Sequence, residues 1–361
     1  MRRFSKYSIV FAAATLVLTG CGSNNKSDTS ASADACKSAT GDGPKVGLAY
    51  DVGGRGDQSF NDSAYEGMKK AISDLKATCS EAKAAQGEND STRAERLRTL
   101  ADAGFDPVIA IGFIYSPAAA TVAKEYPKTH FAVIDGYSQF LNKKPVNNLV
   151  DLTFAEQEGS FLVGVAAAEK TKSKHVGFVG GTHGDLIKKF EAGYTAGVHA
   201  VDPSIKIDVK YLTEDPNDGA TGFENPAGGK TAAAGMYDAG ADVVYHAAGK
   251  SGLGVFQAVE AAGKGHWAIG VDSDQYKSVS ASQKQYILTS MLKRVDTAVF
   301  DDIKSVADGK PASGNVTYDL AHNGVGYSTS GGFIDDIKDQ IDQYAEKIKS
   351  GDIKVPTVPK G

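Results

Sequence analysis

The sequence predicts an α/β fold built on parallel sheets, and three features carry that expectation. From Lys45 onward, short apolar runs rich in β-branched residues alternate with helix-length segments. The runs are continuously apolar, as strands are when helices cover both faces of a parallel sheet. A weak internal echo also pairs "VGLAYDVGGRGDQSFNDSAYEGMKKAI" with "VGFVGGTHGDLIKKFEAGYTAGVHAV", each a strand, a Gly- and Asp-bearing loop, a Phe and a helix. Two similar lobes follow if the echo is real, with Phe60 and Phe190 in equivalent places.

Taken in order, "KVGLAYDV" reads as the first strand and Ser63 to Ala77 as the first helix. "PVIAIGF" and "HFAVIDG" read as strands around a helix from Pro117 to Tyr126. "HVGFVGG", "DVVYHAAG", "HWAIGVD" and "YILTSML" continue the pattern, each beside a helix-length segment. Ligands of open α/β sheets bind at the carboxyl ends of such strands.

The 361 residues are 41% hydrophobic and 23% charged with a net charge of −5, which excludes disorder of the whole chain and gives no basic stripe for nucleic acid. Arg2, Arg3 and Lys6 precede the apolar run "SIVFAAATLVLTG", so residues 1–20 read as a secretory signal, too short for a membrane span. "LTGC" resembles a bacterial lipobox, and Cys21 is expected to carry a diacylglycerol that holds the chain at the outer face of the cell membrane. Residues 21–44 are Ser, Ala, Asn, Asp and Gly with little to bury, a flexible tether. Cys36 and Cys79 remain, and export favours a disulfide between them over two free thiols.

Phe60 lies in "GDQSFNDSAYEGMKKA", where it could serve as a hydrophobic staple. Its neighbours Asp57, Ser59, Asn61 and Asp62 would be costly to bury without partners, so the reading favoured is a ring standing at a binding site, suited to a flat heterocycle. Asp51, Asp135 and Asp272 each end an apolar strand, and Lys293 ends "LTSMLK". Three carboxylates at one edge strain an explanation by helix capping alone, and an Asp and Lys set can grip vicinal hydroxyls. Sharper motifs fail. "GKT" and "GKS" lack the first glycine of a phosphate loop, the seven His show no metal-ligand spacing, and no Ser, His and Asp set announces a hydrolase. No metal or cofactor is expected.

Beyond these readings, "GDQSFNDSAYEGMKKA", "TFAEQEGSFLVGVAA", "KKFEAGYTAGVHAVDP", "AGADVVYHAAGKSGLGVFQA", "IGVDSDQ" and "LTSMLKRVD" resemble the basic membrane protein family. These are substrate-binding lipoproteins of the purine-nucleoside receptor type. The resemblance implies a type I periplasmic-binding-protein fold, with two Rossmann-like lobes joined by three crossing segments and delivery of the ligand to an ABC permease. Lobe 1 is expected over 45–150 and about 277–318, lobe 2 over 151–276 and about 319–356.

The resemblance further implies a nucleobase held between two phenylalanines and a ribose held by acidic, lysine and glycine groups. Carried over, Asp51, Ser59, Phe60, Asn61 and Asp135 belong to the first lobe's site, and Gly249, Asp272 and Lys293 to the ribose side. The second aromatic wall is left between Phe223, which is preferred, and Phe190 as a nearby contact. "GKSGLG" stands where the family has "GGTGNG", and "EDPNDGATGFENPAGG" is longer than the usual loop, which leaves base preference open. The expectation is a monomeric receptor for a nucleoside. Alternatives are a receptor for a sugar or other small polar solute, and a nucleoside-cleaving enzyme using Asp51, Asp135 and Asp272.

Overall fold

A computed structural model describes residues 34–359 except residue 86. The expected signal segment, Cys21 and the tether to residue 33 lie outside the described residues. The chain opens with α1 (Ala35–Ser38), β1 (Lys45–Ala49), α2 (Phe60–Leu75), β2 (Thr78–Ala82), α3 (Asp90–Asp102), β3 (Val108–Ile111), α4 (Ser116–Glu125), β4 (Phe131–Ile134) and β5 (Leu149–Phe154). It continues with α5 (Glu156–Lys170), β6 (His175–Thr182), α6 (Asp185–Val201), β7 (Lys206–Thr213), α7 (Gly219–Phe223), α8 (Pro226–Asp238), β8 (Val243–Ala247), α9 (Gly252–Ala262), β9 (Trp267–Asp272), α10 (Gln275–Ser278) and β10 (Ile287–Lys293). The last elements are α11 (Val295–Ala307), β11 (Gly314–Tyr318), β12 (Val325–Tyr327) and α12 (Lys338–Lys349).

These strands form two six-stranded sheets, ordered β11-β5-β4-β3-β1-β2 and β12-β10-β9-β8-β6-β7. Position by position the orders match, so each lobe repeats one winding. All neighbours are parallel except β12, which runs antiparallel to β10. In the first sheet, Val46, Leu48, Ile109 and Ile134 pack on α2 through Ala64 and Met68, whereas Ala49, Val108, Ala110 and Val133 pack on α3 and α4 through Leu97, Ala119 and Val122. Both faces are buried, which is why these strands are apolar at every position.

The chain crosses between lobes at three places: from β5 to α5, from β10 to α11, and from β11 to β12. The crossings are bound to one another, since Ala155 N donates to Tyr318 O at 3.0 Å and Arg294 N to Gly324 O at 2.9 Å. The expected lobe limits need correction here. β5 keeps 149–154 in the first sheet, and β10 places 287–293 in the second, paired with β9. A continuous apolar strand fits either sheet equally well, so "ILTSMLK" carries no mark of the lobe it joins.

Other differences have local causes. The tether is part of the fold from Asp34, because α1 is joined to β2 by a Cys36–Cys79 disulfide and Ala35 N donates to Tyr65 Oη at 2.7 Å. α2 starts at Phe60 rather than Ser63, because the Asp57 carboxylate accepts from the N–H groups of Ser59, Asn61 and Asp62 at 3.0, 2.8 and 3.1 Å and so caps the helix. β2, β7, β11 and β12 are the end strands of the two sheets and escape the apolar-run criterion, the first three because they carry polar residues on a partly solvated strand and β12 because it is only three residues long.

Glycines set the helix crossings within each lobe. A Cβ on Gly67 of α2 would lie 2.3 Å from Asp296 O in α11, and one on Gly197 of α6 would lie 2.1 Å from Phe161 O in α5. Gly67→Ala is therefore expected to destabilise the chain by about 1–3 kcal/mol in urea unfolding. Gly235→Ala, at an exposed position of α8 with open space around it, should stabilise by about 0.5–1 kcal/mol. Equal effects from the two would refute this account of the crossings.

Candidate functional site

Strand order brings the carboxyl ends of β1, β3 and β4 from one lobe against those of β8, β9 and β10 from the other. Between them lies a cleft of about 570 Å³, its open mouth included. Nine of the ten expected ligand residues line it: Asp51, Phe60, Asn61, Asp135, Phe190, Phe223, Gly249, Asp272 and Lys293. Ser59 is the exception. It is fully buried behind the wall, where its Oγ donates to Asp272 Oδ2 at 2.5 Å and to Val271 O at 3.2 Å, so it holds Asp272 of the opposite lobe in place.

The loop from Asp51 to Asn61 is fixed from within. Asn61 spends its amide there, donating from Nδ2 to Asp57 at 3.0 Å and accepting at Oδ1 from Asp51 N at 3.2 Å. Asp62 accepts from Gly56 N and Gln58 N, both at 2.9 Å. Further bonds tie this loop to the second lobe, from Ser273 Oγ to Ser59 O and from Gln275 Nε2 to Gln58 O, both at 3.0 Å.

Asp135 and Asp272 occupy equivalent places after β4 and at the end of β9, and both adopt left-handed backbone, with φ of 61° and 64°. Asp tolerates that conformation better than most residues, and strain of this kind gathers at ligand sites. Lys293 stands between lobes at 2% exposure. Its Nζ lies 2.6 Å from Asp135 Oδ2 and 3.2 Å from Glu156 Oε1. It also sits over the rings of Phe154, Phe60 and Phe190 at 4.9, 5.2 and 5.5 Å from their centroids. Glu156 is fully buried and is shared with Lys189 at 3.1 Å. Asp135 Oδ1 is buried with no hydrogen-bond partner among the described residues, an acceptor facing a cleft that can supply a donor.

Burial pushes the Asp51 carboxyl up to about 7, against the opposing Val52 N–H bond. It pushes Asp272 up to about 6, with Lys293 and the Ser59 hydroxyl opposing. Asp135 is also raised by burial, with Lys293 as the chief opposing influence. Lys293 is held above its usual range because the nearby carboxylates outweigh its own burial. The cleft thus offers carboxylate acceptors, the buried Lys293 ammonium with Lys250 as a second cation on its wall, and aromatic faces.

The two candidates for the second aromatic wall differ in setting. Phe190 is 3% exposed, a turn and a half into α6, with its ring against Lys293. Phe60 by contrast opens α2 and is half-buried. The echo therefore matches helices, and the two rings are not equivalent. Phe223 closes α7 and is half-buried, and its ring lies so near Gly181 that a Cβ there would come within 2.3 Å of it. Sequence reasoning missed Phe113 and Lys250 on the cleft wall and Glu156 behind it. Phe113 follows "VIAIG" in the place that Gly249 holds after β8, so the strand-end rule applied to β3 reaches it. Glu156 had no local signal, because only the crossing brings it to Lys293.

In the unfolded chain Asp51 titrates near 3.9, so its raised folded value costs nothing below about pH 4 and costs most above about pH 7. Asp51→Asn is accordingly expected to raise the unfolding temperature of the ligand-free chain near pH 8 and to raise it far less at about pH 5. An equal change at both would show that this carboxyl is not perturbed.

The profile of a family described as "ABC transporter substrate-binding protein PnrA-like" matches residues 45–358. Among curated proteins, the "ABC transporter nucleoside-binding protein BmpA" of Lactococcus lactis is 34% identical, with 99% of each chain covered. "Basic membrane protein A" of Borreliella burgdorferi is 32% identical over 87% of this chain and 88% of its own. Among solved structures, a solute-binding protein of an ABC transporter system from Aeropyrum pernix superposes with a TM-score of 0.74 at 28% identity, covering 88% of this chain and 94% of its own. The chain therefore belongs to the PnrA-like family of ABC transporter substrate-binding proteins.

Proposed function

We propose that this substrate-binding protein captures a nucleoside, a purine nucleoside in preference to a pyrimidine one, and delivers it as a monomer to its permease. The observation that carries the reading is the pairing, in one cleft, of half-buried aromatic rings from opposite lobes with an acidic and lysine cluster. Phe60 comes from the first lobe and Phe223 from the second. Such rings suit a flat base, and Asp135, Asp272 and Lys293 suit the vicinal hydroxyls of a ribose. The name of the Lactococcus lactis relative supports the same ligand class. Phe223 is the preferred second wall, because Phe190 is already packed in the core and against Lys293. Asn61 and Ser59 position the site, and Gly249 brings the backbone close to the ligand.

The proposal includes anchoring through a diacylglycerol on Cys21, at the outer face of the membrane, with the nucleoside cleft held outside the cell. The carboxylates bind and do not react, in keeping with a family of transport receptors.

Thermal unfolding with a panel of purine and pyrimidine nucleosides, free bases and sugars tests the ligand class. A nucleoside at about a thousand times its dissociation constant adds roughly 4 kcal/mol of stability. Shifts with adenosine, guanosine or inosine and none with ribose are expected, and a shift with sugars alone would overturn the nucleoside reading. Calorimetric titration of variants tests the walls. Phe60→Ala and Phe223→Ala should each weaken nucleoside binding by about 1–3 kcal/mol through lost stacking, whereas unchanged affinity in either would remove that ring from the site.

A further inference from the structure

The loop that follows β4 is built inside out. Among the described residues, five large hydrophobic side chains are exposed, and three of them, Tyr137 at 38%, Phe140 at 81% and Leu141 at 50%, stand on this one loop. The side chains of Ser138, Gln139 and Asn142 meanwhile turn inward and are bound. The fully buried Asp151 carboxylate accepts from Ser138 Oγ and from Gln139 N, the latter at 2.8 Å. Gln139 Nε2 donates to Leu149 O at 2.6 Å and to Val146 O at 3.1 Å, Val146 N donates back to Gln139 Oε1 at 3.2 Å, and Asn142 Nδ2 donates to Ser138 O at 3.0 Å. Tyr137 N is held by Ser116 Oγ at 3.0 Å. A loop answering only to water would place these groups the other way round. Isolated exposed hydrophobics are ordinary, but a cluster held outward by a buried polar frame marks an interaction site.

Position and charge point to the partner. The loop springs from Asp135, which lines the ligand cleft, and Gly136 next to it is so close to Asp151 that a Cβ there would lie 2.2 Å from Oδ1. The exposed surface is thus connected through two residues to the site that holds the ligand. From Gly136 to Asn148 the chain carries Lys143 and Lys144, both exposed, and no acid, although the whole sequence has a net charge of −5. A substrate-binding protein of an ABC transporter has one obligatory protein partner, the permease that receives its ligand. We infer that the segment Tyr137–Lys144 docks on that permease, its apolar tip entering a recess with an acidic rim on the permease's outer face. The inference rests on membership of the transporter family and is independent of which solute fills the cleft.

The test uses the full-length chain in its own cells, with a photoreactive benzoyl-phenylalanine in place of Leu141. Illumination is expected to join it to a membrane-spanning ABC permease subunit, identified by mass spectrometry of the adduct. Adding Phe140→Asp should reduce that adduct at least about tenfold, as loss of a buried interface anchor does, while the thermal shift given by nucleoside stays unchanged. An adduct with phospholipid only would make the loop a membrane contact and overturn the inference. So would the lack of any permease adduct, or an adduct undiminished by Phe140→Asp. A permease adduct from a chain that no nucleoside stabilises would leave the docking surface standing and remove only the nucleoside reading.

Discussion

The cleft is organised around one buried ammonium. Lys293 belongs to the second sheet, yet one of its carboxylate partners is Asp135 of the first lobe, and the other, Glu156, begins the helix just past a crossing. Taking such charges out of water costs several kcal/mol each, repaid only when geometry and further bonds are good. Three aromatic faces and a pair of carboxylates supply that here, and Lys189 in turn holds the outer oxygen of Glu156. The remaining buried oxygen of Asp135 has no hydrogen-bond partner among the described residues. The residues that would grip a ligand are therefore the residues that already bind the lobes together.

A second constraint is the repeated winding. Two sheets with the same strand order put corresponding strand ends face to face, so Asp135 and Asp272 approach one cleft from equivalent positions and with the same left-handed backbone. The copies differ where function divides them. The first lobe uses the helix start at Phe60 and a capped, internally bonded loop. The second lobe presents Phe223 from α7, a short helix inserted between β7 and α8. A turn between Tyr318 and Val325 makes the third crossing and leads into the antiparallel β12.

Much of this was legible in the residues. Apolar runs such as "PVIAIGF" and "HVGFVGG", short, β-branched and bounded by Gly or Pro, read as strands buried on both faces, and Asp51, Asp135, Asp272 and Lys293 announce themselves by ending such runs. Family motifs added Gly249 and Phe223, and the internal echo added Phe190. Strands such as "TCSEA" and "KIDVKYLT" were not legible, since a partly solvated strand at or near a sheet edge lacks the apolar run on which the reading relied. Nor was the disposition of Ser59, whose hydroxyl reaches across the lobes to Asp272 instead of facing the cleft.

The sequence by itself determined the class of fold, the strand-end location of the site and most of the side chains in it, because burial on both faces and charge at a strand end are local properties of the chain. Tertiary structure alone decided which sheet receives "ILTSMLK", how Glu156 meets Lys293, that Phe190 is buried where Phe223 is half-buried, and that Ser138, Gln139 and Asn142 of the 137–144 loop turn inward. Each of these depends on contacts between residues far apart in sequence, made when the three crossings bring one lobe against the other or when a loop folds back on its own sheet. No periodicity within a single segment encodes such contacts.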